Sequence, residues 1–380
     1  MEKIVVVFVT DISWWGGSTL SLRDMIPSLA NYIKPIILVY SRGDVYDYFK
    51  SLGVEVYVVS YEFNYFPSSS NWVKMVLKYI YFFVRHEIVQ RKGLKQILSI
   101  LKSRNVSIVH SNTSAIDFGY VLARSLRVKH VWHIREMLPL FSGIQIMGGL
   151  FLLKAQMKCS DKLIFISHAC KNFWNIKCDS NKKIVIGDAI MGRDELIYQR
   201  KKKSYILFCA QGLSEYKGAD FAVKVFGISN LAQRGFRLKM IGAYGKNAKE
   251  KLDVIAKKYK IEKSVDYLGS LDINEIKVLM SEATLFLQPS KMEGLGRVSI
   301  EAIFCGCPVV ARNCGGTLDF IKDGETGFLW DTEEECVKLL KKVVSSDNES
   351  LVLKAQELVR KQYSIEGYAP QIYNVYKTLL

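Results

Sequence analysis

The run IVVVFV at residues 4–9 constrains the fold more than any other stretch of this 380-residue chain. It is apolar at every position and rich in β-branched side chains, so both faces of the strand it forms must be covered. That is the condition of a parallel sheet flanked by helices. A loop, Asp11-Ile12-Ser13-Trp14-Trp15-Gly16-Gly17-Ser18, follows it, and a helical pattern then runs from 19 to 32. Short apolar runs recur at 36–40, 54–59, 107–109, 130–132, 162–166 and 183–186, with polar or helical stretches between them. A second series begins at 205–210 and continues at 236–241, 265–269, 284–288 and 308–311. Strands alternating with helices in two halves predict an α/β protein with two doubly wound, Rossmann-like domains facing each other across a cleft. The length also exceeds a single typical core. The polar stretch YQRKKKS at 198–204 reads as the linker between a first domain at 1–197 and a second at 205–365.

The richest local pattern is PSKMEGLGRVSIEAIFCGCPVVARNCGG, residues 289–316. Gly294 and Gly296 permit a tight turn and close backbone approach to a ligand. From Arg297, the apolar positions Val298, Ile300, Ala302 and Ile303 predict a helix that Gly306 and Pro308 end. Glu293 therefore lies in the loop before the helix and Glu301 just inside it, eight positions on. A helix N-terminus carries unpaired N–H groups and suits a phosphate. Carboxylates beside it are repelled by phosphate, and their natural partners are the hydroxyls of a ribose or a sugar.

The whole stretch resembles the signature of the retaining glycosyltransferases of GT-B fold, family 4 type, also called glycosyl transferases group 1. The resemblance implies that Glu301 holds the donor ribose and Glu293 the donor sugar, with Gly294, Leu295, Gly296, Arg297 and Val298 around the diphosphate. It extends to Gln211-Gly212-Leu213-Ser214-Glu215-Tyr216-Lys217-Gly218, similar to a family segment whose lysine binds phosphate. Lys217 matches that lysine, whereas Gly212 stands where an arginine is usual. VWHIRE at 131–136 resembles the segment of bacterial polysaccharide transferases in which a histidine, here His133, faces the donor. Tyr267 and Leu268 correspond to a stretch that edges the nucleotide base. Gly16, Gly17 and Ser18 match a loop near phosphates and acceptor, and Asn112 closes a strand that points at the ligand crevice. The last helix, within 366–380, crosses back onto the first domain in such proteins. With catalytic Glu293, His133 and Lys217, the implied activity is metal-independent transfer of a sugar from a nucleotide-diphosphate sugar to a glycan or lipid-linked acceptor in cell-surface polysaccharide synthesis, with no cofactor. Nucleotide-sugar epimerases and phosphorylases share the architecture, and the glycine at 212 also fits a catalytically weakened partner subunit.

A net charge of +16 predicts an anionic partner: a nucleotide diphosphate, an anionic membrane surface or nucleic acid. No motif supports nucleic-acid binding. The stretch 71–104 mixes Trp72, Tyr79, Phe82 and Phe83 with Lys74, Lys78, Arg85, Arg91, Lys92 and Lys95, and reads either as an interfacial membrane helix or as a core helix with a solvated basic face. The eight cysteines show no zinc spacing, there is no Asp-x-Asp pair, and no run reaches the length of a membrane span. The scattered cysteines suit a reduced, cytoplasmic setting, with attachment to the inner membrane face as its extension, and MEKIVVVFVT, too short for a signal-peptide core and running into Asp11, reads as a first strand.

Overall fold

The computed structural model describes residues 3–140 and 143–380. Its two compact units are residues 1–189 with 365–380, and 190–364. The first unit contains β1 (Ile4–Val9), β2 (Ile33–Val39), β3 (Glu55–Val58), β4 (Tyr65–Pro67), β5 (Ile108–Ser111), β6 (Lys129–Ile134), β7 (Ile144–Ile146), β8 (Lys162–Phe165) and β9 (Lys183–Val185). The second contains β10 (Lys203–Gly212), β11 (Arg237–Ala243), β12 (Val265–Gly269), β13 (Ala283–Gln288), β14 (Val309–Arg312) and β15 (Phe328–Trp330). The sheet orders are β3-β2-β1-β5-β6-β8-β9 and β12-β11-β10-β13-β14-β15, and β4 and β7 form a separate antiparallel pair.

Every registered pair in the two large sheets is parallel. Val6, Val7 and Phe8 are fully buried, as a strand covered on both faces requires. Each such side chain contributes about 1.5–3 kcal/mol on leaving water. Each strand order reverses once, between β1 and β5 in the first unit and between β10 and β13 in the second. Outward-diverging connections leave a crevice beyond the carboxyl ends of the central strands, where α/β sheets bind ligands.

Several elements depart from their sequence-based bounds. The first helix is Gly17–Leu29 and not 19–32, because Gly16 is extended and its N–H donates to Thr19 Oγ1 at 2.8 Å. β6 runs through His133 and Ile134, which pair with Ile164 and Phe165 of β8, so His133 lies inside the strand and not after it. Residues 198–204, expected as a linker, are tied into the second unit. Ile197 N–H donates to Phe304 C=O at 2.9 Å, and Lys202 Nζ donates to Ser281 and Gly306 C=O, both at 2.7 Å. The chain passes between units at 189/190 and returns at 364/365. The terminal helix Ile365–Lys377 belongs to the first unit, where Tyr373 stacks on Tyr32 at 4.4 Å and Tyr376 Oη meets His110 Nδ1 at 2.7 Å.

The stretch 71–104 is a single helix, Trp72–Lys102, of mixed character. Its C-terminal third buries Gly93, Ile97 and Leu101, while its first half exposes Trp72, Leu77, Ile80, Tyr81 and Val84. Among the described residues, no helix is long and apolar enough to cross a membrane.

Candidate active site

In the second unit the loops after β10 and β13 flank the point of strand reversal, and both carry ionic side chains. Lys291 N–H donates to Tyr216 C=O at 3.1 Å, which stitches the two loops together. Gly218 makes the approach possible: its φ is +76°, and a Cβ there would lie 2.7 Å from Pro289 O. Lys217 Nζ consequently meets Glu293 Oε1 at 2.8 Å. The same oxygen accepts from Gln288 Nε2 at 3.0 Å, at the end of β13. The lysine side chain is 32% exposed and the glutamate 16%, so both remain open to a ligand.

Gly315 and Gly316 hold this loop from behind. Gly316 N–H donates to Glu293 C=O at 2.8 Å, and a Cβ on Gly316 would fall 2.3 Å from Gly294 O. Leu295 is buried, and Gly296, at φ +90°, turns the chain into the helix Arg297–Phe304. Arg297, Val298 and Glu301 lie in its first turns. Burial, with the Glu301 charge second, pushes the thiols of Cys209 and Cys305 up to about 12, which places Glu301 near the end of β10. Gly212 is the last residue of β10, and a Cβ there would touch only Ala243 O, at 3.6 Å. Tyr267 and Leu268 lie on the outermost strand β12, and the Tyr267 ring packs against Tyr244 at 5.9 Å in the second core.

The first unit gathers the other predicted residues around a buried ion pair. Arg135 NH1 binds Asp188 Oδ1, and Asp188 also accepts from Ser21 Oγ at 2.6 Å. Arg135 further donates to Asn112 O at 2.9 Å, to Asn112 Oδ1 at 3.1 Å and to His133 Nδ1 at 3.1 Å. A guanidinium only donates, so Nδ1 accepts and the imidazole proton sits on Nε2. That Nε2 is buried without a partner among the described residues. Burial, then Arg135 and His110, hold His133 well below the ordinary histidine range. It is therefore a neutral ring whose N–H awaits an acceptor.

Asn112 is fully engaged, donating to Ser18 O at 2.9 Å. The Ser18 hydroxyl donates to Asp11 Oδ1 at 2.7 Å. Gly16 is buried beneath the side chain of Ile12, whereas a Cβ on Gly17 would meet nothing within 4 Å. The loop at 16–18 thus takes part in a network that centres on Asp11, Asn112 and Arg135.

Sequence reasoning passed over Asp11, Arg135, Glu136 and Asp188. Glu136 accepts from Thr113 Oγ1 at 2.9 Å, Ser114 N–H at 2.9 Å and Ser114 Oγ at 2.8 Å. Burial and then the Asp11 charge nonetheless push it up to about 7. The one available signal was position, since these residues all follow strands of a parallel sheet. Among the described residues, no three His, Cys, Asp or Glu side chains converge to hold a metal ion.

Comparison with known proteins agrees with the motif. The profile of the family described as "Glycosyl transferases group 1" matches residues 193–360. An uncharacterized glycosyltransferase of Haemophilus influenzae is 27% identical over 72% of this chain and 76% of its own length. The phosphatidylinositol N-acetylglucosaminyltransferase gpi3 subunit of Schizosaccharomyces pombe is 24% identical over 74% of this chain and 63% of its own. Among solved structures, Anabaena HepE in complex with UDP and glucose superposes with a TM-score of 0.76, covering 99% of this chain and 100% of its own at 17% identity. That likeness establishes the GT-B fold.

Proposed function

Taking as premise that the second unit, matched over residues 193–360, belongs to the glycosyl transferases group 1, we propose that the chain is a retaining, metal-independent glycosyltransferase. It moves a hexosyl group from a nucleotide-diphosphate sugar to a glycan or lipid-linked acceptor in cell-surface polysaccharide synthesis. The observation that carries this reading is the Lys217–Glu293 pair at the strand reversal of the second sheet, beside the N-terminus of the helix Arg297–Phe304. The UDP and glucose held by HepE support a nucleotide-sugar donor.

In this reading Glu301 accepts hydrogen bonds from the ribose, and Glu293 from the donor sugar. As the sugar departs, negative charge concentrates on the diphosphate. Lys217, Arg297 and the backbone N–H groups at 297–298 stabilise it, the preorganised electrostatic role that a metal would otherwise fill. His133 offers its Nε2–H to a donor oxygen. The departing phosphate accepts the acceptor's proton on the same face, which retains anomeric configuration without a protein nucleophile.

The exposed apolar first half of the helix Trp72–Lys102 suits the interface of an anionic leaflet on the cytoplasmic side. Arg91, Lys92 and Lys95 line an open depression farther along the same helix, where lipid phosphates would sit.

The test incubates the full chain with UDP-, GDP- and ADP-sugars, with and without lipid-linked acceptor and with EDTA. Transfer that survives EDTA and preserves the anomer, read by proton NMR, is expected. Turnover of no donor, or an inverted product, overturns the reading.

A further inference from the structure

Between Glu136 and Lys154 the sequence carries no charged residue, although 24% of the whole chain is charged. Burial explains only part of that run. Met137, Leu138, Met147 and Leu153 are buried, but Leu150, Phe151 and Leu152 are exposed, Phe151 at 87%. These residues open the helix Gly149–Cys159, which follows β7 through Gly148 and Gly149, at φ +68° and +75°. Two left-handed positions in succession are accessible to glycine at little cost, and they turn the chain abruptly before the first helical turn. Exposed apolar side chains scattered singly are ordinary, whereas consecutive ones within an uncharged run mark an interaction surface.

The hairpin that carries this helix also carries the long helix Trp72–Lys102. β7 pairs with β4, where Phe66 stands opposite Gln145. The Phe66 ring meets Tyr79 at 5.9 Å and Phe82 at 5.8 Å on the long helix. Asp117 ties the two helices a second time. Gln90 Nε2 of the long helix donates to Asp117 Oδ1 at 2.7 Å, and Gln156 Nε2 of the short one donates to Oδ2 at 3.4 Å. His86 Nε2 lies 3.2 Å from the same Oδ1. Pulling either helix away would strip a buried carboxylate of a partner, so the exposed segments 72–84 and 150–152 are fixed relative to each other. Charge decides what covers them. The short helix carries Lys154 and Lys158 and no acid, and Glu87 is the single acid of the long one. A second copy of the chain would set cations against cations. An anionic bilayer satisfies both features, with apolar side chains at the acyl boundary and lysines on the phosphates.

We propose that the first turn of the helix Gly149–Cys159 is a second membrane-inserting element, with Phe151 at the boundary of headgroups and acyl chains and Lys154 and Lys158 on lipid phosphates. The assignment rests on the attachment through the helix Trp72–Lys102 and adds what that helix cannot supply. One helix lying in an interface leaves the body it carries free to roll about the helix axis. A second contact off that axis stops the roll, so the first unit is held on the leaflet in a single orientation.

The test combines hydrogen–deuterium exchange with vesicle co-sedimentation on the full chain, using vesicles of phosphatidylglycerol with phosphatidylethanolamine, or of phosphatidylcholine alone. Slower amide exchange over 149–153 is expected on the anionic vesicles only, together with slower exchange over 72–84. Leu150→Ser combined with Phe151→Ser, both at exposed positions, should lower partition onto anionic vesicles by about fivefold or more without moving the thermal midpoint. The exchange measurement uses wild type, so it decides the matter even where the double variant does not fold. Unchanged exchange over 149–153 in vesicle-bound protein, or wild-type partition of the double variant, overturns the second element and leaves the long helix in place. A wild-type dimer in light scattering that the double variant splits would assign the surface to a second copy and overturn the proposal. Wild type that sediments with neither vesicle overturns both contacts, while calorimetry with UDP, GDP and ADP on the same preparation judges the transferase reading separately.

Discussion

The ammonium of Lys217 lies 2.8 Å from Oε1 of Glu293, so the cation assigned to phosphate and the carboxylate assigned to sugar are bound to each other. A partly exposed pair of this kind contributes about 0.2–1 kcal/mol. That is weak enough for a diphosphate to draw the lysine away, since a doubly charged anion outcompetes one carboxylate.

Removing the competitor should therefore strengthen nucleotide binding. Glu293→Gln is expected to raise affinity for the bare nucleoside diphosphate up to about fivefold, the equivalent of about 1 kcal/mol, while lowering transfer. Lys217→Ala should weaken the same binding and cut turnover by ~10²-fold. Isothermal titration calorimetry measures the first effect. Unchanged affinity in Glu293→Gln would show that the pair does not restrain Lys217.

Position 212 can accept the arginine it lacks. Its β-carbon would make one ordinary contact, 3.6 Å from Ala243 O, and its backbone lies outside the left-handed region. Arg297→Ala should reduce kcat by ~10²-fold, and Gly212→Arg in that background should restore at least tenfold of it without lowering the thermal midpoint. A Gly212→Arg variant that folds normally but restores nothing would separate the diphosphate from the end of β10.

Membrane attachment through the helix Trp72–Lys102 predicts two additive losses. Leu77, Ile80 and Tyr81 changed together to Ser should abolish co-sedimentation with vesicles containing anionic lipid, because the apolar face no longer inserts. Arg91, Lys92 and Lys95 changed to Glu should weaken it by about 1 kcal/mol per residue, an effect that salt suppresses. Equal sedimentation of all variants would exclude the helix.

Buried ionisable groups set opposing pH dependences. His110, His130 and His133 are held neutral by burial, with His130 lowered to about 3, so the unfolded chain binds protons that the folded chain does not. Their contribution is present above about pH 6.5 and is lost as pH falls. Glu136, raised from 4.5 to about 7, acts in reverse: the folded chain binds its proton first, and that stabilisation is lost as pH rises through about 7. Each group supplies a slope of up to about 1.4 kcal/mol per pH unit. Urea midpoints between pH 7.5 and 5 should fall for wild type and fall more steeply for Glu136→Gln, which lacks the offset. Parallel curves would place the Glu136 titration outside this range.

The second-unit site was legible because it is local. Glu293, Gly294 and Gly296 occupy one loop, and the Gly315–Gly316 turn that clamps it lies within the same 28-residue stretch, 289–316. Lys217 was found by resemblance, but its contact with Glu293 needs the close passage that Gly218 permits across 76 residues. In the first unit the sequence pointed to His133 without its surroundings. Arg135, which sets its tautomer, is anchored by an aspartate 53 residues on, and no spacing rule joins them. The end of β6 is not legible because pairing with β8 continues past Trp132 through His133, whose polar side chain resembles a loop residue, to Ile134. The stretch 198–204 resembles a linker for the opposite reason: it is charged, yet the Lys202 ammonium reaches carbonyls of the second unit.

The return of the chain at residue 364 has a consequence for modularity. Ile190 N–H donates to Tyr363 C=O at 2.9 Å, and Met191 bridges Ser364, so the entrance and exit of the second unit are hydrogen-bonded neighbours. In topological terms the second unit is a cassette inserted into the first. A cassette with adjacent ends can be exchanged between relatives by two cuts, leaving its host closed by a short splice from Ala189 to Ile365. The host is not so readily isolated by truncation. A stop codon after 189 would strip away Tyr368, Ile372 and Tyr376, all buried in the first core, and leave their bed open to water.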